Sequence, residues 1–334
     1  MNMSIFRCIY RLFLTLIIEL LTIDSYLAIR STKDSECPKL CDQNACTMAI
    51  LLCLTTGLSQ IPINPPRGIQ KVILKNQHFL NPRLSYTNLS RYGSEEITLK
   101  KLIISNCTLM SIESEAFSHL LYLQELDLSN NQLLLIQPNT FKSLSLKSLV
   151  LDFNLNLHLI KDSFSGLVVN SLSMRNCHLT ELSHDSIKQI SGYLTTLNLA
   201  DNRLGYLSNN LDLLFRRLDN LNIENNPFNC SCQLKWLSAT LQTRSKRKNS
   251  SQKTLGFDSS NPVCEHPKIL RGLSIEKLSP VSFQCQIPKL KRIDIKITSP
   301  VTAVISCISD DLSNSRVKWS YKNIKSHNSY RFLD

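Results

Sequence analysis

The residues best equipped for chemistry in this chain are twelve cysteines and seven histidines, and their spacing decides what chemistry is open to them. The histidines (His78, His119, His158, His178, His184, His266 and His327) are scattered with no metal-ligand interval. The cysteines form no paired C-x-x-C knuckles of the kind that hold structural zinc. His178 stands beside Cys177, but neighbours on a strand or turn point different ways, so the two do not make a nucleophile and its base. No glycine-rich phosphate loop, nucleophile elbow or paired-carboxylate motif is present. The sequence thus predicts no enzyme, no cofactor and no metal, which leaves the cysteines the chemistry of disulfides and buried thiols.

Disulfides need an oxidising compartment. Residues 1–28 have the three parts of a secretory signal: Arg7 and Arg11, an apolar stretch from Leu12 to Ile23 interrupted by Glu19, and small or polar residues ending near Ala28. That stretch falls short of the about 20 apolar residues a bilayer requires. Cleavage takes Cys8 and leaves eleven cysteines. With 334 residues, 43% hydrophobic and only eight glycines, the chain is long enough for two or three units with real cores. The net charge of +12 does not read as a nucleic-acid face, because Arg244, Lys246, Arg247, Lys248, Lys289, Lys291 and Arg292 supply much of it locally.

The positions of the cysteines are set by a repeat, L-x-x-L-x-L-x-x-N/C-x-L. It runs through Ile69-Val72-Leu74-Gln77-Phe79, Leu99-Leu102-Ile104-Cys107-Leu109, Leu123-Leu126-Leu128-Asn131-Leu133 and Leu146-Leu149-Leu151-Asn154. It continues through Val169-Leu172-Met174-Cys177-Leu179, Leu194-Leu197-Leu199-Asn202-Leu204 and Leu218-Leu221-Ile223-Asn226-Phe228. The seven starts are 30, 24, 23, 23, 25 and 24 residues apart. In each repeat the x-L-x-L-x core is a short strand with its leucines inward, and stacked strands make a parallel sheet. The ninth position turns the chain out of the strand, where a buried Asn or Cys side chain bonds the exposed backbone. Phe117, Phe141 and Phe164, with Ile187 in the next slot, pack the returning arm. A period-3.6 helix does not account for a turn residue at this fixed interval. In the fourth repeat Asn154-Leu155-Asn156-Leu157 brings the next inward leucine one residue late, and the first carries extra chain from Ser90 to Glu96, expected as a loop.

A solenoid needs both apolar ends covered. Cys37, Cys41, Cys46 and Cys53 precede the array and Cys230, Cys232, Cys264 and Cys285 follow it; four cysteines allow three pairings, so spacing alone does not choose. Cys107 and Cys177 lie three rungs apart, roughly 14 Å at about 4.8 Å per rung. A disulfide tolerates about 7 Å between Cα atoms, so they are expected as buried free thiols.

The stretch Asn226-Pro227-Phe228-Asn229-Cys230-Ser231-Cys232-Gln233-Leu234-Lys235-Trp236-Leu237, with the first cluster, resembles the cysteine caps of extracellular leucine-rich-repeat proteins, nearly continuously from residue 37 to 285. The resemblance implies Cys37 paired with Cys46, Cys41 with Cys53, Cys230 with Cys264 and Cys232 with Cys285. The expected fold is an α/β leucine-rich-repeat solenoid with a parallel β-sheet on the concave face and a disulfide cap at each end. Its expected parts are an N-terminal cap at 37–66, about seven repeats at 69–228 and a C-terminal cap at 226–286. Over 290–334, Ile293-Ile295-Ile297, Ala303-Ile305-Cys307 and Val317-Trp319-Tyr321 read as half-buried strands. Cys307 followed twelve residues later by Trp319 is the first half of an immunoglobulin signature whose Tyr-x-Cys half is missing. A partial immunoglobulin-like sandwich, in a sequence that is a fragment, is the expectation.

Recognition is the function such a sheet suggests. Its outward positions are polarised: Lys71, Lys75, Lys100 and Lys101 lie on the first two rungs, and Glu125, Asp127, Asp152, Asp201, Asp219 and Glu224 on later ones. Val150 and Phe153 add an apolar spot at the middle rung. A protein ligand of opposite polarity is the expected partner. A second candidate surface is Arg244-Ser245-Lys246-Arg247-Lys248, read as an exposed insertion and open either to a sulfated polysaccharide or to a basic-site processing protease. Sequons at Asn88 and Asn249 fall in expected loops and would carry glycans; those at Asn106 and Asn229 enclose a buried or bonded cysteine. The resemblance implies an adhesion or signalling receptor whose membrane anchor lies beyond residue 334. Its alternatives are the docking region of a peroxidasin-like matrix enzyme and a secreted binding protein without an anchor.

Overall fold

The computed structural model describes residues 36–250 and 261–283 and the backbone of the strands Leu290–Ser299, Thr302–Ser309, Trp319–Lys322 and Tyr330–Leu333. The expected signal segment and Cys285 lie outside the described residues. The chain divides after Phe283 into two units.

The first unit is built on one eight-stranded parallel sheet whose strand order follows the chain. Seven strands are the expected rungs, from Lys71–Lys75 to Asn220–Asn222. The eighth was not legible: Ile50–Cys53 of the cap pairs with rung one, Leu51 beside Val72 and Cys53 beside Leu74. The cap is thus a rung in its own right and covers the sheet edge with backbone hydrogen bonds. Period-two alternation sends Leu102, Leu126, Leu149, Leu172, Leu197 and Leu221 inward in exact succession, all fully buried. Burying each such side chain contributes about 1.5–3 kcal/mol, which is why register holds over the whole array. On the returning arm the Phe117, Phe141 and Phe164 rings stack at 5.8 and 6.2 Å between centroids.

The ninth-position side chains close the turns. The Asn131 amide donates to the Ile104 and Leu128 carbonyls, and its oxygen accepts from the amides of Cys107 and Leu109 on the preceding rung. Asn154, Asn202 and Asn226 repeat this bridge, and Gln77 makes it to Cys53, Thr55 and Leu58 of the cap. In repeat four a turn from Leu157 N–H to the Asn154 carbonyl absorbs the extra residue, leaving Leu155 outside and Leu157 buried.

Three expectations need correction. The segment after Leu84 is not a loop: it is one helical turn, Tyr86–Leu89, followed by a 3-10 turn, Ser90–Gly93, held because Tyr92 is buried with its hydroxyl donating to the Pro62 carbonyl. Asn88 therefore sits in a helix and not in a loop, its Oδ1 accepting from the Ser85 amide and hydroxyl. The basic run is not an irregular insertion, and it is exposed only in part. It lies on the helix Lys235–Ser250, where Arg244 is only 4% exposed and donates to the carbonyls of Phe215 and Leu218. Arg247 reaches the carbonyls of Arg216 and Leu218. These oxygens end the helix Asp212–Arg217 and have no partner within it, so the two guanidiniums satisfy a helix C-terminus inside the cap. Arg244 is thereby turned inward, while Lys246 and Arg247 stay exposed on the same helix.

The C-terminal cap buries Leu234, Leu237 and Leu241 in the common core and packs its helix against Asp212–Arg217. In the second unit Leu290–Ser299 pairs antiparallel with Thr302–Ser309, Ile293 opposite Cys307, and Trp319–Lys322 pairs antiparallel with Tyr330–Leu333.

Candidate binding face

The outward positions of the rungs line up in registered lanes. One lane runs Ile50, Lys71, Lys101, Glu125, Ser148, Ser171, Thr196 and Asn220. The neighbouring lane runs Leu52, Ile73, Ile103, Asp127, Val150, Ser173, Asn198 and Asn222. Every side chain in both lanes is half-buried. Lys75, Asp152 and Glu224 stand in the next lane, and Lys100 and Asp219 on the opposite margin. Ten of the twelve residues named for this face thus stand on one sheet surface or its margins, and Phe153 and Asp201 follow in the turns at the strand exits. The sequence reading missed an apolar strip, Leu52-Ile73-Ile103, on three adjoining strands at the basic end. Its signal was available: position five is apolar in rungs one, two and four, where an outward side chain has no core to fill.

Electrostatics within the face is local. Lys101 pairs with Glu125 across adjacent strands, and Arg175 with Asp201. Asp152 accepts from the Ser173 hydroxyl at 2.6 Å and the Arg175 amide at 2.7 Å. Burial, reinforced by the charge of Asp127, still lifts its carboxyl above the usual range. Burial pushes Asp201 the same way, but the Asn225 amide and the Arg175 guanidinium outweigh it and hold that carboxyl low. Among the described residues no ion pair engages Lys71, Lys75 or Lys100; Lys100 donates to Gln70 instead.

At the strand exit, position eight takes the left-handed backbone in every rung: Asn76, Asn106, Asn130, Phe153, Asn176, Asp201 and Asn225 all have φ between 51° and 60°. Asn and Asp tolerate that region, whereas a bulky side chain there is an outlier. Phe153, at φ 60°, is the exception in the column, and it is 38% exposed.

The cysteines occupy two settings. Disulfides join Cys37 to Cys46, Cys41 to Cys53 and Cys230 to Cys264, and Cys232 is disulfide-bonded as well. Cys107 and Cys177 are buried free thiols. Cys107 Sγ donates to the Ser105 carbonyl and Cys177 Sγ to that of Leu151. Burial pushes Cys107 up to about 11 and Cys177 up to about 12, the opposite of a nucleophile's requirement. Among the described residues no group of three His, Cys, Asp or Glu side chains could hold a metal ion, and no helix is long and apolar enough to cross a membrane. Asn249, expected in a loop, lies instead near the end of the helix Lys235–Ser250.

Residues 97–155 match the family described as leucine rich repeat. The chain is 26% identical over 203 residues to mouse CD180 antigen, covering 58% of this chain and 28% of that protein. It is 24% identical over 258 residues to trophoblast glycoprotein of Macaca fascicularis, covering 61% and 60%. It therefore spans less than two thirds of either relative. Among solved structures, the crystal structure of human 5T4 (trophoblast glycoprotein) superposes with a TM-score of 0.53 at 21% identity, over 75% of this chain and 99% of that one. At that identity the likeness establishes the fold, which is the leucine-rich-repeat solenoid. The chain carries a leucine-rich-repeat domain homologous to those of cell-surface leucine-rich-repeat proteins.

Proposed function

We propose that this chain is the extracellular protein-binding module of a cell-surface adhesion or signalling receptor, and that its protein ligand docks on the concave face of the sheet. The observation that carries this reading is polarity: unpaired lysines and an apolar strip at the first rungs, carboxylates at the last, all on one registered surface. Such a field orients a protein partner and speeds its approach. Homology to cell-surface proteins supports the compartment, and three disulfides within the described residues support an oxidising one. Residues 1–28 would supply the secretory signal and the strands after residue 290 an immunoglobulin-like module. Glycans at Asn88 and Asn249 belong to the same reading; capping by Asn88 uses Oδ1 and leaves Nδ2, the atom a glycan takes.

An array of purified extracellular domains probed with the secreted chain tests this. Binding that disappears in K100E/K101E and survives Lys188→Glu, off the sheet, is the expected result. Hits with unchanged affinity in K100E/K101E would sink the concave-face assignment.

A further inference from the structure

The charges of this face are arranged about its middle rung. Rung one presents Lys71 and Lys75, and rung seven Asp219 and Glu224. Rung two presents Lys100 and Lys101, and rung six Asp201. Rung three presents Glu125 and Asp127, and rung five Arg175. Rung four, equidistant from rungs one and seven, carries one charge of each sign, Lys147 and Asp152. Rungs one and seven, two and six, and three and five thus carry opposite signs at equal distances from rung four. The internal pairs Lys101–Glu125 and Arg175–Asp201 mute rungs two, three, five and six, so the complementarity is carried mainly by rungs one and seven.

From this arrangement we infer that the partner of the concave face is a second copy of this chain. The two sheets meet face to face about a two-fold axis that runs along the strand of rung four. The inference rests on the concave-face reading above and names its occupant. A two-fold interface is isologous, so a surface serves it only if it is its own complement. This axis carries rungs one, two and three onto rungs seven, six and five, cation onto carboxylate, and confines like-on-like contact to Lys147 and Asp152 of rung four. An axis along the stacking direction would set every rung on its own copy, lysines on lysines at rungs one and two and carboxylates on carboxylates at rungs three and seven, and is repelled along the whole face. The centre of the pairing is apolar, because Val150 is half-buried and Phe153 protrudes there, with one Phe153 facing the other across the axis. An aromatic anchor at the centre with charges around it is the distribution that stable interfaces show. The strained backbone of Phe153 has the same explanation: an exposed aromatic is kept where six other rungs use Asn or Asp.

Sedimentation velocity on the secreted full chain tests the pairing. The wild type is expected to dimerise at about 50 mM salt and to dissociate as salt is raised, since the Debye length falls from about 10 Å at 0.1 M to about 3 Å at 1 M. K71E/K75E alone and D219K/E224K alone are expected to weaken the dimer about a hundredfold, and their equimolar mixture to restore it as a heterodimer. Phe153→Asn, which leaves every charge in place, is expected to weaken the dimer about tenfold while remaining folded by thermal melting, so the test stands even if a charge reversal fails to fold. A chain that stays monomeric at low salt, a dimer indifferent to Phe153→Asn, or folded reversed variants whose mixture does not associate overturns the pairing. Failure here is separable from failure of the concave-face reading: a monomer that loses array partners in K100E/K101E keeps its ligand face and loses only its self-recognition.

Discussion

The Arg244 guanidinium lies 2.6 Å from the carbonyl oxygen of Phe215, so the helix of the C-terminal cap completes the end of a helix in the last repeat. Burial, with the neighbouring charge of Arg247, brings its pKa down to about 10, and it stays charged at neutral pH. Its removal strands buried carbonyls. Arg244→Ala is expected to cost about 2–4 kcal/mol in urea unfolding, and Arg244→Lys to recover only part, because an ammonium lacks the planar fork. Lys246→Ala, exposed two residues on, should change stability by less than about 0.5 kcal/mol. Equal losses at both sites would contradict the capping role.

The two free thiols give a second prediction. With Cys107 at about 11 and Cys177 at about 12, both are protonated and enclosed at pH 8, so a disulfide-exchange reagent should count no thiols from residues 36–283 in the native chain and two after denaturation. The linkage has a definite sign. An unfolded thiol titrates near 8.5, so below that range both states hold the proton and stability is complete. As pH rises from about 8.5 toward 11, the unfolded state releases protons first and stability falls. Replacing both by serine should flatten that alkaline slope in a series of thermal melts.

The repeat was readable because leucine burial repeats at a fixed interval, so each inward residue announces its neighbour on the next rung. Arg244 was not readable. Its partners are the carbonyls of Phe215 and Leu218, more than twenty residues away, and backbone oxygens leave no mark on the sequence. Ile73 and Ile103 were legible only through the repeat: each sits beside an inward residue, Leu74 or Ile104, so the run looks like uninterrupted core until position five is counted as outward. The strain at Phe153 could have been found. Asn or Asp at position eight of every other rung marks a left-handed turn that Phe must also adopt.

Asp152 supplies a pH prediction within the face. Its carboxyl is raised by burial, so the native state binds a proton that the unfolded state, near 3.9, has already released. Ionised Asp152 therefore costs stability at neutral pH, and the cost fades as pH falls through the raised native value. Asp152→Asn keeps an oxygen for the Ser173 hydroxyl and the Arg175 amide and removes the charge. Its melting temperature should exceed that of the wild type at pH 7, by an amount within about 1 kcal/mol, and the two should converge toward pH 4. A gap that widens on acidification would show that the hydrogen bonds, not burial, govern this carboxyl.

Phe153 separates stability from recognition. The left-handed region costs a bulky L-residue roughly 1–2 kcal/mol, and Asn at the same place in rungs one, two, three, five and seven shows what the turn prefers. Phe153→Asn relieves the backbone and gives up the packing of a ring that is 38% exposed and otherwise covered. Where relief of the backbone outweighs the lost packing, chemical denaturation should show it more stable than the wild type, by less than about 1 kcal/mol. Phe153→Gly relieves the same strain but adds freedom to the unfolded chain, and should gain less. If both variants are instead destabilised by more than about 1 kcal/mol, the ring is held by the fold and its retention needs no ligand. If both are stabilised while association weakens, the strain is kept for what the ring touches, which only a binding role explains.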